Sequence, residues 1–320
     1  MNGEITIYSY AKINLSLDVT GKQENGMHTV DMVMQELNFH DDVNIKFEEK
    51  PNSDNIEIEL KTNRPYLPVN ENNIAFKAAQ IMVEKYGKHR KGIPEGKGGG
   101  RISIDIKKRI PVAAGLAGGS GNGAAVLHGL NAIWETDLTL EELQDVGALL
   151  GSDVPFCVIG QVKKNYYLPE KVRKDPMGTF CARAEGTGTI LTPVTPVKTA
   201  VVIAKPAMGV STKEVYKGID DCIINRHPDN NQMIKALKDG NRQLIEANMI
   251  NVLEEYTLKK IKGVRDLKSL MEREFPQSPV LMSGSGPTVF AFFSTVKEAR
   301  NACRILREKR YEAYWTTARN

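Results

Sequence analysis

The sequence predicts an α+β fold in two domains, and three observations carry that prediction. The chain has 320 residues, more than the ~100–200 of a single domain. Segments with apolar residues at every second position open it, and segments with helical spacing are scattered after them. The two kinds do not alternate strictly, as a doubly wound parallel sheet would require. With 41% hydrophobic and 26% charged residues, the composition excludes a disordered or collagen-like chain.

The elements follow in order. Ile5, Ile7 and Tyr10, then Ile13, Leu15 and Leu17, alternate with small or polar residues and read as strands. Val43, Ile45 and Phe47, then Ile56, Ile58 and Leu60, repeat that period. A helix is predicted over 73–86, capped by Asn73, with Ile74, Ala78, Ile81, Met82 and Tyr86 on one stripe. The Lys- and Gly-rich stretch 88–100 reads as an exposed loop before a strand at Ile102, Ile104 and Ile106. A run of small residues from Pro111 to Gly123 leads into an apolar helix, Ala124 to Trp134, and a second helix covers 139–150. Residues 161–178 carry two prolines, several lysines and no clear period, so they read as a basic loop without an element. The domain boundary is expected near residue 160, giving domains 1–160 and 161–320. Strands are expected at 187–192 and 199–205, and helices at 231–239, 242–250 and 261–274. An apolar strand pair lies around Leu281 and Val289–Phe293, followed by a helix at 296–309 and a last strand at 311–316.

Charge divides unevenly. The first 160 residues hold 16 basic and 22 acidic side chains, a net −6, and the rest hold 27 and 17, a net +10. A basic half suggests an anionic ligand or partner, or simply a solvated basic surface. Cys157, Cys181, Cys222 and Cys303 form no CxxC pair and read as reduced thiols. No signal peptide and no apolar run of ~18 residues is visible, so a cytoplasmic protein without a membrane span is expected. The five histidines show no ligand spacing, so no metal site is predicted in the chain itself. No aromatic–basic interleaving points to nucleic acid.

The small-residue run holds the chemistry. Gly115, Gly118, Gly119, Gly121 and Gly123 uncover backbone N–H groups and permit positive φ, and the run ends at a predicted helix N-terminus. Free N–H groups and the helix dipole together favour a phosphate. Ser120 adds a hydroxyl. The spacing is neither that of a Walker A loop nor of a dinucleotide fingerprint. Lys12 and Asp153 lie in apolar strings, where an isolated charge usually marks only the end of an element. Together they match what phosphoryl transfer to an alcohol needs: positive charge at the transferring group and a carboxylate for the hydroxyl.

Three segments, Ala11-Lys-Ile-Asn-Leu15, Pro111 to Ala125 and Leu281-Met-Ser-Gly-Ser-Gly-Pro-Thr-Val289, together resemble the three motifs of the GHMP kinases, named for galactokinase, homoserine kinase, mevalonate kinase and phosphomevalonate kinase. Asn25-Gly-Met-His28, Gly151-Ser-Asp-Val-Pro-Phe156 and Ala204-Lys-Pro206 followed by Gly209-Val-Ser-Thr212 resemble the branch that acts on a cytidine-diphosphate alcohol in isoprenoid precursor synthesis. The resemblance implies a two-domain kinase that binds ATP and acceptor in the cleft between its domains. It implies ATP with Mg2+, a small-molecule acceptor phosphorylated on its 2-hydroxyl, no nucleic-acid or membrane partner, and a monomer or homodimer. Lys12 and Asp153 would be catalytic. Asn73, Pro111, Ala113, Ala114, Gly115, Leu116, Ala117, Gly118, Gly119, Ser120, Gly121 and Asn122 would bind ATP, and Asn14, Met27, His28, Thr212 and Tyr216 the acceptor, with His28 on the cytosine edge and Tyr216 stacked on it. Two positions depart from the family pattern: Gly121 stands where a second serine is common, and Met27 where an aromatic usually precedes the histidine. A GHMP kinase with another acceptor alcohol, or a non-catalytic nucleotide-binding paralogue, are the other readings of the same residues.

Overall fold

The opening strand-period segments merge into two long strands, β1 (Asn2–Lys22) and β2 (His28–Lys50). The structure is a computed structural model that describes residues 2–50, 53, 55–88 and 98–320. Most of the expected loop at 88–100 lies outside the described residues. The chain divides into two compact units, and both long strands contribute to each.

The first unit comprises Met1–Tyr10, His40–Ile110 and Ala117–Thr179. Here β3 (Ile56–Thr62) pairs in parallel with β4 (Gly99–Lys107), which pairs antiparallel with the end of β2. Ile45 faces Ile104 and Phe47 faces Ile102 across the β2–β4 register. Alternation along these strands sends those residues into a core where they are almost fully buried. Helix α1 (Ile74–Tyr86) begins at Asn73, whose side chain accepts from the Ala75 N–H at 3.0 Å. Helix α2 (Gly118–Trp134) starts six residues before the expected Ala124, so the glycines from 118 to 123 form its first turns and not a loop. Trp134 packs edge-on against Phe47, with centroids 5.6 Å apart. Helix α3 (Leu140–Ala148) opens on a reciprocal Thr139–Glu142 capping box. Helix α4 (Val154–Gln161) was not expected: all eight residues are buried, so its sequence shows no amphipathic stripe to read. The stretch 161–178 is also not a bare loop. It contains a 3₁₀ turn at 162–164 and a short α5 (Glu170–Arg173), held down by buried Leu168 and Val172.

The second unit comprises Ala11–Phe39, Pro111–Leu116 and Phe180–Asn320. The start of β2 pairs antiparallel with β5 (Cys181–Gly186), which pairs with β6 (Ile190–Pro193). Then come β7 (Ala200–Lys205), α6 (Thr212–Ile219), α7 (Asn230–Asp239), α8 (Arg242–Ala247), α9 (Glu254–Lys260) and α10 (Lys262–Glu274). The chain ends with β8 (Val280–Met282), β9 (Val289–Phe293), α11 (Val296–Glu308) and β10 (Glu312–Thr317). The last strands form an antiparallel sheet in the order β10-β7-β9-β8, covered by α10 and α11. The expected strand pair at Leu281 and Val289–Phe293 is β8–β9, with Leu281 opposite Phe290. Arg319 is fully buried, ion-paired with Glu36 and stacked over the Phe180 ring at 4.2 Å.

A single cut near residue 160 does not describe this division. Six chain segments alternate between the units, because β1 and β2, at 21 and 23 residues, are long enough to serve both. Among the described residues no helix is long and apolar enough to cross a membrane. The four cysteines are free thiols, and burial pushes the Cys181 thiol up.

Candidate active site

The three motifs contribute to one constellation within the second unit. Lys12, on β1, is buried and its Nζ donates to Asn14 Oδ1 at 2.9 Å. The period of two places Lys12 and Asn14 on the same face of the strand. Asn14 Nδ2 lies 3.2 Å from the Met32 sulfur, which leaves the amide fixed from both ends. The Lys12 N–H donates to the Leu116 carbonyl at 3.1 Å, which fastens the small-residue run to β1. Gly115 takes φ +71°, and a Cβ there would overlap the Ser283 carbonyl oxygen, so only glycine fits. Ser283 Oγ donates to the Gly115 carbonyl at 2.9 Å. The Ser283–Thr288 turn joins β8 to β9 and closes through Ser283 N–H to Thr288 O at 2.9 Å. Asn251 holds that turn from beneath, donating to the Met282 and Gly284 carbonyls at 2.8 and 2.7 Å. Ser285 Oγ and Thr212 Oγ1, at the start of α6, share a hydrogen bond of 2.9 Å.

His28 and Tyr216 also meet in this unit, with ring centroids 5.3 Å apart and planes at 43°. His28 Nε2 is 2.5 Å from Asp220 Oδ1, and Lys22 Nζ is 2.5 Å from Asp220 Oδ2. Those two hydrogen bonds, His28 first, hold the Asp220 carboxyl below the usual carboxylate range. Met27 is 49% exposed beside them, so its thioether is available to a ligand and is not part of the core.

The first unit carries the helix terminus. Gly118 and Ser120 are half-buried and Gly119 is exposed at the start of α2. The first turn of a helix has N–H groups with no partner inside the helix. Gly121 is different: its N–H already donates to the Ala117 carbonyl at 2.8 Å. The N–H groups without a partner inside the helix are thus those of the first turn alone, not of the whole glycine run. Asn122 is turned inward, its amide bonded to Lys108 Nζ at 3.0 Å, Asp41 Oδ2 at 3.0 Å and Ser9 Oγ at 3.2 Å. Ala113 and Ala117 hold positive φ, at 49° and 54°, a conformation costly for alanine and characteristic of functional loops. Ala114 and Leu116 bury their side chains, so the run offers a ligand backbone rather than side chains; Pro111 is half-buried. Asn73 sits beside this terminus, since its neighbour Ile74 lies next to Gly119 and Gly123. Its side chain is engaged as the α1 cap and with the Pro68 carbonyl at 2.8 Å. Asp153 stands half-buried at the N-terminus of α4, with no capping bond from its side chain.

Sequence reasoning missed several supports. Asp41 accepts from Lys108 and from the backbone N–H groups of Arg109 and Ile110 at 2.6 and 2.8 Å. Burial lowers the Lys108 ammonium from its ordinary value against the pull of Asp41. The Lys107-Lys108-Arg109 run gave no hint that its middle member is buried. Asp220 and Asn251 carry no mark of these contacts in the sequence, whereas Ser283 and Ser285 lie within the third motif.

Comparison with known proteins places the chain in a family. The model of the GHMP kinases N terminal domain matches residues 73–161, and that of the GHMP kinases C terminal matches 233–312. The chain is 40% identical over 300 residues to the 4-diphosphocytidyl-2-C-methyl-D-erythritol kinase of Alkaliphilus metalliredigens, covering 93% of this chain and 91% of that protein. It is 40% identical over 297 residues to the protein of that name in Clostridium acetobutylicum, covering 92% and 93%. A crystal structure of 4-(cytidine 5'-diphospho)-2C-methyl-D-erythritol kinase superposes with a TM-score of 0.73 at 25% identity, covering 99% of this chain and all of that one. A homoserine kinase from Cytophaga hutchinsonii, at 16% identity and a TM-score of 0.66 over 98% of this chain and 95% of that one, shares the fold. The three motifs, the two domain matches and the near-full-length relatives agree: the chain belongs to the GHMP kinases.

Proposed function

We propose that this kinase transfers the γ-phosphoryl group of ATP to the 2-hydroxyl of 4-diphosphocytidyl-2-C-methyl-D-erythritol, the compound in its relatives' name. The observation that carries the acceptor is the meeting of His28 with Tyr216, residues from distant parts of the sequence, in the unit that also holds Lys12 and Asn14. An imidazole edge supplies hydrogen bonds and a phenol face supplies stacking, the two contacts a pyrimidine base offers.

The roles follow from the chemistry of each group. Asp153 accepts or orients the proton of the attacking hydroxyl. Lys12, held by Asn14, supplies positive charge to the transferring phosphoryl group. The first turn of α2 binds phosphate oxygens through its N–H groups, and Ser120 adds a hydroxyl. A magnesium ion would be held chiefly by the nucleotide phosphates, with Ser120, half-exposed at that turn, the hydroxyl that would reach it. Such an ion would neutralise charge on the phosphates.

The test is ADP release by the purified chain with ATP and magnesium, with and without the diphosphocytidyl acceptor. Acceptor-dependent release is expected. A folded chain that releases no ADP in response to the acceptor would overturn the proposal.

A further inference from the structure

Asp220 lies outside the three motifs, yet its carboxylate takes both His28 and Lys22, one on each oxygen and each at 2.5 Å. His28 is 8% exposed in its side chain and Asp220 33%, so the ring is enclosed while the carboxylate closes it from the solvent side. Lys22 ends β1, His28 begins β2, and Asp220 follows α6, so one carboxylate pins the β1–β2 turn to the helix that carries Tyr216.

We infer that Asp220 is a specificity-positioning residue: it fixes the tautomer of His28 and thereby the base that His28 accepts. The inference rests on the cytidine acceptor proposed above. An ionised carboxylate only accepts hydrogen bonds, so His28 Nε2 must carry the proton it shares with Asp220. In a neutral imidazole with Nε2 protonated, Nδ1 is an acceptor. Cytosine presents an amino donor at C4, where uracil presents a carbonyl acceptor. An Nδ1 acceptor therefore rewards cytosine and meets uracil with two facing lone pairs. A site built around one such hydrogen bond rejects the mismatched partner more strongly than an apolar contact does.

Two measurements on the full chain test this. Nitrogen NMR of histidine-labelled protein, with the His28 signal assigned by His28→Gln, should show the Nε2–H tautomer in the native sequence and a mixture in Asp220→Ala. Titration with CDP and UDP should show a preference for CDP that shrinks about tenfold in Asp220→Ala, while the KM for ATP stays within about twofold. The Nδ1–H tautomer in the native sequence would overturn the inference. So would an unchanged CDP preference in Asp220→Ala, and that result would leave the cytidine acceptor standing. Equal binding of CDP and UDP by the native sequence would remove the cytidine acceptor and this inference together.

Discussion

Single residues set the chemistry and the backbone that frames it. Asp153→Asn and Lys12→Ala should each lower turnover by at least ~100-fold, as losses of a proton acceptor or of transition-state charge do; near-native turnover in steady-state ADP release would refute the assigned role. Gly115→Ala tests the backbone. At φ +71°, with the Ser283 carbonyl in the path of a Cβ, the substitution should cost about 2 kcal/mol or more in urea unfolding. Gly121 shows what the sequence alone obscures. Its departure from the family pattern suggests a lost phosphate ligand. In the structure a Cβ there would lie 2.5 Å from Ser9 Oγ and 3.5 Å from the Tyr10 carbonyl, so this position faces the interior. Gly121→Ser should therefore lower stability without raising turnover, and Ser9→Gly should recover part of the loss in a double-mutant cycle.

At the scale of elements, legibility followed periodicity. The α1 cap at Asn73, the β8–β9 pair and α11 were readable because apolar spacing and capping residues mark them. Helix α4 and the buried face of Lys108 were not, because a segment buried all round has no period and a buried lysine has the same letter as an exposed one. The Asp41–Lys108–Asn122 cluster ties β2, the end of β4 and the second turn of α2 together. Lys108→Met leaves Asp41 buried without its cation, so a loss of about 3–5 kcal/mol is expected in chemical denaturation. A smaller loss would mean that the backbone donors of Arg109 and Ile110 suffice for Asp41.

Across the whole molecule the charge asymmetry does not follow the proposed site. The acidic half of the sequence contains Lys12, Asp153 and the start of α2, and local N–H groups need no basic surface around them. Burial matters more to global stability. Desolvation raises the Glu36 carboxyl to about 7, outweighing the opposing pull of Arg319. A folded-state value above the unfolded one means the native state holds the proton longer. The contribution of Glu36 is thus fully present below about 4.5 and declines until about 7. Compared with Glu36→Gln, the native sequence should lose on the order of 3 kcal/mol over that window and stay level above it, as followed by thermal unfolding across pH. A difference independent of pH would show that Glu36 is ionised throughout.

The alternation of six segments between the two units has a practical meaning for recombination. A chimera of two such kinases spliced near residue 160 would take Lys12, Asn14 and His28 from one parent and Tyr216, Asp220 and Ser283 from the other, although all six belong to one unit. A transplant that keeps these partners matched must carry residues 11–39 and 111–116 along with 180–320, so this constellation is inherited through three separate stretches of the gene.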